Sequence, residues 1–251
     1  MKLFSASAIS LSIIQIISTI GAIIGLWVFS FDYLSIIVIL VSYYLYSGIG
    51  VSMMLHRFYA HKSFEFKYPI LKYVFTWFAL MSGRGSIIGW VHVHREHHAF
   101  SDTEKDPHSP SIKGWRVLFP HLMDYGKKIN VRLVRDLLNK KQIYINDYYM
   151  LLVLSCVSIL IIIDPWIAYF CWFVPVSITH FVLNTFIYFG HNLGYTNHKY
   201  KDNSKNLWVY GILLWGEGWH NNHHSNAKNW NMQEKWWELD LIAPLIYLVK
   251  K

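Results

Sequence analysis

The chain has 251 residues, of which 54% are hydrophobic and 15% charged, with a formal net charge of +8. A charged fraction so far below the usual quarter, gathered around long uncharged runs, excludes an ordinary soluble domain. The basic excess is segregated between those runs, which reads as membrane topology and excludes nucleic acid as a partner.

Residues 7–30 and 33–55 are two uncharged runs whose connecting turn carries Asp32 alone. Residues 148–163 and 166–190 form a second pair, divided at Asp164. About 20 apolar residues cross a bilayer core of about 30 Å. The four runs are therefore predicted as transmembrane helices in two hairpins, with 148–163 the shortest. The first run is too long for a signal peptide and leads directly into the second. Fifteen of the 23 Lys and Arg fall in 56–147 and seven in 191–251, with none in 6–55 or 148–190. The positive-inside rule then places both basic segments and both termini on the cytoplasmic side. The predicted fold is all-α: one membrane domain, 1–251, with four spans under a helical cytoplasmic cap.

Within the cap, 68–91 is apolar but interrupted by Lys72, Gly83, Arg84 and Gly85. That predicts an interfacial helix and a kinked approach to residue 94. Residues 127–143 read as a basic, mostly helical stretch on the membrane surface. Trp236 and Trp237 suit the interfacial aromatic belt.

Fourteen histidines punctuate this sequence. "HRFYAH" places His56 and His61 at the end of the second run. "HREHH" supplies His94, His97 and His98, and "HNNHH" supplies His220, His223 and His224. His191 ends the fourth run. The topology puts all nine on one side of the membrane. On a helix, positions i and i+4 share a face and i+3 is adjacent, so each HxxHH points three imidazoles one way and the two boxes can face each other. His56 and His61, five apart, lie about 140° round an ideal helix, so the helix is expected to end or unwind between them. Imidazole suits iron, zinc and copper, and nine donors exceed one ion's needs, zinc sites usually taking four. Two six-coordinate-type ions fit, and iron adds redox chemistry. His92, His108, His121, His180 and His198 read as packing, turn or surface residues.

At these residues the chain resembles the membrane fatty acid desaturases of the stearoyl-CoA (Δ9) type, through "HRFYAH", "HREHHAFSDTEKDPHSP" and "GEGWHNNHH" in that order, over residues 30–245. The resemblance implies a di-iron centre (two Fe2+) held by the same nine histidines, with "IYFGHNLGY" aligning His191 as the ligand on the fourth span. It implies an O2-dependent reaction that removes two hydrogens from neighbouring carbons and leaves a cis double bond, expected at Δ9. Trp90 matches a tryptophan lining the family's acyl tunnel. Where the family has an asparagine holding a metal-bound water, this chain has Ile187; Asn184, one turn further away on the same face, is the candidate replacement. His92-Val93 stands where acyl-CoA enzymes carry Arg-Asp. That favours an acyl-lipid over an acyl-CoA substrate, with acyl carrier protein a third carrier. No HPGG heme motif is present, so a separate electron donor such as ferredoxin or cytochrome b5 is expected.

Around the histidines, Ser52 and Gly48 share the His56 face of an ideal helix and leave room for a chain that Tyr44 closes. Arg57 and Arg95 are candidates to hold headgroups or carboxylates. Asp102, Asp106 and Glu217 are expected to orient ligand imidazoles. Ligation needs neutral rings, so activity is expected to fall as the pH drops through about 6. A membrane di-iron hydroxylase is the rival enzyme. A zinc-binding membrane protein or metal transporter is the rival outside enzymes, although transporters place their ligands at mid-bilayer.

Overall fold

A computed structural model of the chain describes residues 7–123 and 129–251; Lys127 and Lys128 of the predicted basic stretch lie outside the described residues. The main helices are α1 (Ser7–Gly25), α2 (Tyr33–Ala60), α3 (Pro69–Met81), α4 (Ile87–Phe100), α5 (Lys140–Ile163), α6 (Pro165–Phe189), α7 (Trp208–Leu213), α8 (His220–Ser225) and α9 (Ala243–Val249). Among the described residues, β structure is limited to three isolated bridges.

Three helices, α2, α5 and α6, are long and apolar enough to cross a membrane. The predicted first span is shorter than its apolar run: α1 has 19 residues and gives way to a turn after Gly25. The predicted boundaries at 55 and 148 are not helix ends either, because α2 continues to Ala60 and α5 begins at Lys140. Hydropathy marks where a helix is greasy, and the backbone ladder continues past that point. The two acids in the hairpin turns are N-caps. Asp32 accepts the Ser35 N–H at 2.8 Å and Asp164 that of Trp166 at 2.8 Å, so each starts the returning helix by satisfying an otherwise orphaned donor. Aliphatic side chains such as Ile24, Ile37, Leu40, Leu151 and Ile162 face outward, an apolar belt far larger than a soluble monomer tolerates.

α2 packs closely on α3. A Cβ at Gly50 would stand 2.6 Å from the Phe78 carbonyl oxygen, so the two backbones nearly touch. From Tyr44 onward α2 is wound more loosely than an α-helix, and its last turn closes with an i→i+5 bond from His61 N–H to His56 C=O at 3.1 Å. Such wide turns are rare and often mark functional sites.

The break between α3 and α4 falls at the predicted kink. Gly83 and Gly85 take φ of +76° and +103°, a region open to glycine without penalty. A Cβ at Gly83 would lie 2.9 Å from Ile14 of α1 and 3.0 Å from the His180 ring of α6, so the chain threads between those helices here. Ser86 then caps α4 by accepting the Gly89 N–H at 3.1 Å, and its hydroxyl donates to Asn146 of α5 at 2.6 Å. α4 is thereby aimed from α5, and the tail that carries α8 closes over it.

Candidate metal centre

The residues between the histidines hold the two box helices in place. In α4, Arg95 donates to the carbonyls of Ala60, Tyr59 and Leu133 at 2.7–2.8 Å and bridges both oxygens of Asp136 at 2.7 and 3.2 Å. Its donors are spent on the chain itself, so Arg95 does not serve as a headgroup anchor. In α8, Asn221 Oδ1 accepts the N–H groups of Asn197 and His198 at 2.8 Å each. Asn222 joins Asn206, Asn197, Glu238 and the Met232 carbonyl. The histidines turn inward from both helices.

They form two groups. His56, His61, His94, His98 and His223 make one, and His97, His191, His220 and His224 the other; within each, the candidate ligand atoms all lie within 4.8 Å of one another. The boxes are shared crosswise. α4 gives His94 and His98 to the first group and His97 to the second, while α8 gives His223 to the first and His220 and His224 to the second. His56 and His61 meet with ring centroids 4.8 Å apart. Of the two expected outcomes, an end or an unwinding between them, the helix unwinds, and the wide turn brings residues five apart toward one face.

The imidazoles meet through Nε2. These atoms are 2.9 Å apart for His56–His223, 2.7 Å for His61–His94, 3.0 Å for His98–His223, 3.0 Å for His191–His220 and 3.3 Å for His97–His224. The opposite nitrogens face carboxylates: His97 Nδ1 to Asp106 at 2.9 Å, His191 Nδ1 to Asp102 at 3.1 Å, His224 Nδ1 to Asp202 at 2.6 Å, and His56 Nδ1 to Glu217. A ring donating from Nδ1 presents a bare lone pair at Nε2. In the His97–His224 pair both rings face carboxylates, so their two Nε2 lone pairs repel one another unless a cation lies between them. Metal–imidazole bonds of about 2.1 Å would set neighbouring donors about 3.0 Å apart, which matches the spacing. Four carboxylates behind the rings balance the charge of two divalent ions. The donor set fits two metal ions.

Asp102 serves from a left-handed backbone (φ +57°) that turns its carboxylate back toward His191, while it also accepts from Ser109 Oγ and the Asn203 N–H. Burial alone would raise the Asp102 and Asp106 pKa values, but the bonds to His191 and His97 outweigh it and hold both far below the ordinary carboxylate range. Asp202 behaves in the same way through His224. It escaped the sequence reading because nothing in "KYKDNSKN" ties it in spacing to a histidine box. Replacing Asp202 by alanine is expected to weaken metal retention about 10- to 100-fold, the usual cost of losing a partner that orients a ligand, as read by chelator competition.

Burial, reinforced by neighbouring rings, pushes His94, His98, His220 and His223 well below the ordinary imidazole pKa. His224, buried but held by Asp202, lies at about 4. These folded values are depressed, so their stabilising contribution is complete above the unfolded pKa of about 6.5 and is lost as the pH falls through the folded values. Acid release of metal is therefore expected below the pH of about 6 set by unperturbed imidazole, and a titration of bound metal checks this.

A cavity of about 110 Å³ opens against both groups, lined by His56, His94, His97, His191 and His220 and by apolar walls from α1, α2, α4 and α6. Trp90 lines it and stacks on His94 at 4.8 Å. Ser52, Gly48 and Tyr44 are not among its lining residues. Ser52 is buried and donates to Glu217 at 2.5 Å, and Gly48 packs against Tyr44 and Trp215. In the wide helix the residue below His56 on the cavity side is Val51, five positions back, where α-helical spacing selected Ser52.

Two further sequence expectations are corrected. Arg57 is completely buried and faces Glu217 and Asp240 at 3.3 and 3.0 Å, which leaves it no role at a headgroup. Asn184 is committed elsewhere, its Oδ1 accepting from Arg84 at 3.0 Å and its Nδ2 donating to Gln15 at 3.4 Å. His108, read as a turn residue, stacks on His97 at 4.5 Å and lines the cavity. His92 and His198 are bonded to Asn130 and Glu234, away from the groups.

The two histidine groups border one largely apolar cavity among helices of membrane-spanning length. The sequence pattern of the fatty acid desaturase family matches residues 32–247, and the chain belongs to that family. It is 32% identical over 207 residues to a sn-1 stearoyl-lipid 9-desaturase of Synechocystis, covering 79% of this chain and 64% of that protein. It is 28% identical to the Anabaena variabilis protein of the same description over 92% of this chain and 86% of the other. Identity to Delta-9 acyl-lipid desaturase 1 of Arabidopsis thaliana is 30%, over 79% of this chain and 67% of the relative.

Proposed function

We propose that this chain introduces a cis double bond at Δ9 of a saturated acyl chain carried on a membrane lipid. The observation that carries the reading is the pair of Nε2 clusters bordering one narrow apolar cavity. His56, His61, His94, His98 and His223 would hold one iron, and His97, His191, His220 and His224 the other. When bound and reduced, the iron pair supplies the O2 activation needed to remove hydrogen from unactivated carbon. The overall reaction consumes O2, two electrons and two protons per double bond and yields two waters, so an external one-electron carrier such as ferredoxin or cytochrome b5 is required.

The protein's own part is placement. Trp90, Val93, Phe186 and Ile187 wall the cavity beside the rings, so a chain lying there meets the metals at a fixed depth with water excluded. Four spans, with α1 completing the first hairpin, and a cytoplasmic metal site follow from the charge segregation. Relatives described as acyl-lipid desaturases, with the absence of Arg-Asp before His94, favour a lipid carrier over CoA or acyl carrier protein.

The test is expression in a host unable to make unsaturated fatty acids, followed by lipid-resolved mapping of products. Loss of two hydrogens between carbons 9 and 10 of intact lipids is the expected outcome. Products that gain an oxygen would favour the hydroxylase reading and overturn this one.

A further inference from the structure

The cavity has a polar far end. Along α4 its wall descends from His97 through Val93 and Trp90, and below the helix start it reaches Arg84; along α6 it descends from His191 through Ile187 to Leu183. Arg84 belongs to the same end as Leu183, because its Nη1 contacts Asn184 Oδ1 and His180 Nδ1 at 3.0 Å each. Arg84 is buried, 6% exposed, and follows the Gly83 corner, which lies close against Ile14 of α1 and His180 of α6. His191 and Leu183 are eight residues apart, or about 12 Å along a helix. An extended chain of single bonds advances about 1.2 Å per bond, so that depth accommodates about ten bonds.

We propose that Arg84 is the end stop of the cavity and sets the longest acyl chain the protein accepts, an inference that rests on the cavity holding the acyl chain. A methyl terminus driven against a guanidinium must strip polar contacts from a permanently charged group and return none. The bonds to His180 and Asn184 keep the side chain from swinging aside. A chain whose distal segment ends short of Arg84 meets only apolar wall. The stop limits length, whereas the position of the double bond is counted from the carrier end.

The experiment compares chain-length profiles of desaturated products from wild type, Arg84→Met and Leu183→Phe in membranes containing saturated chains of 14 to 20 carbons. Arg84→Met is expected to raise the share of products longer than the wild-type limit by about tenfold, roughly the worth of one methylene in an apolar pocket, with the bond at an unchanged carbon. Leu183→Phe fills the same end and is expected to shift products toward shorter chains. An unchanged profile in metal-loaded Arg84→Met overturns the proposal. If that variant does not accumulate, an unchanged profile in Leu183→Phe does so. Absence of any desaturated product from wild type would instead strike at the proposed function.

Discussion

Replacing His220 by alanine is expected to leave a folded chain that retains about half its metal and loses desaturation by more than about 10³-fold. His220 is one of four donors in the second group, and its Nε2 lies 3.0 Å from that of His191. Removing it leaves three imidazoles and an open position, while the five donors of the first group are untouched. Activity falls much further than metal content because groups that act as a unit are grossly non-additive. His198→Ala is the matched control, since that ring is part-exposed and bonded to Glu234. Metal analysis with product quantification decides. A His220→Ala chain with full metal and full turnover would refute the two-group assignment.

The second large effect is on folding. Arg57→Met is expected to destabilise the protein by about 3–5 kcal/mol, the usual cost of removing one partner of a buried ion pair. Asp240 is 5% exposed and also accepts the N–H groups of Met232 and Ala243, so its carboxylate fastens the tail to α2. Glu217 would lose Arg57 while still facing His56 Nδ1. A thermal melt in detergent should show the loss, with metal retention falling in parallel because Glu217 steadies a ligand ring. Arg57→Lys keeps the charge but not the forked geometry and should recover only part of the stability.

Much of this site was legible because imidazoles are scarce and their spacing is strict. The nine histidines chosen from spacing and topology are the nine that converge. Asp102, Asp106 and Glu217 also lie where ring-orienting acids were expected. The crosswise sharing was not legible, because a box read as one face hides the fact that i+3 diverges from i and i+4 once a partner helix crosses it. Nor was the wide winding of α2, which moved the cavity wall from Ser52 to Val51. Arg57 and Arg95 looked available to ligands because a sequence shows charge without showing Asp240 or Asp136. Arg84 was visible only as an interruption of an apolar stretch; its place at the foot of the cavity depends on α1 and α6 closing around Gly83.

The exchange of ligands between α4 and α8 has a consequence for assembly. Neither box can complete an ion's coordination alone, so an ion captured during synthesis rivets α4 to α8. A half-built protein that lacks α8 has no finished pocket for either ion. Loading of either group is thereby coupled to the docking of α8 against α4.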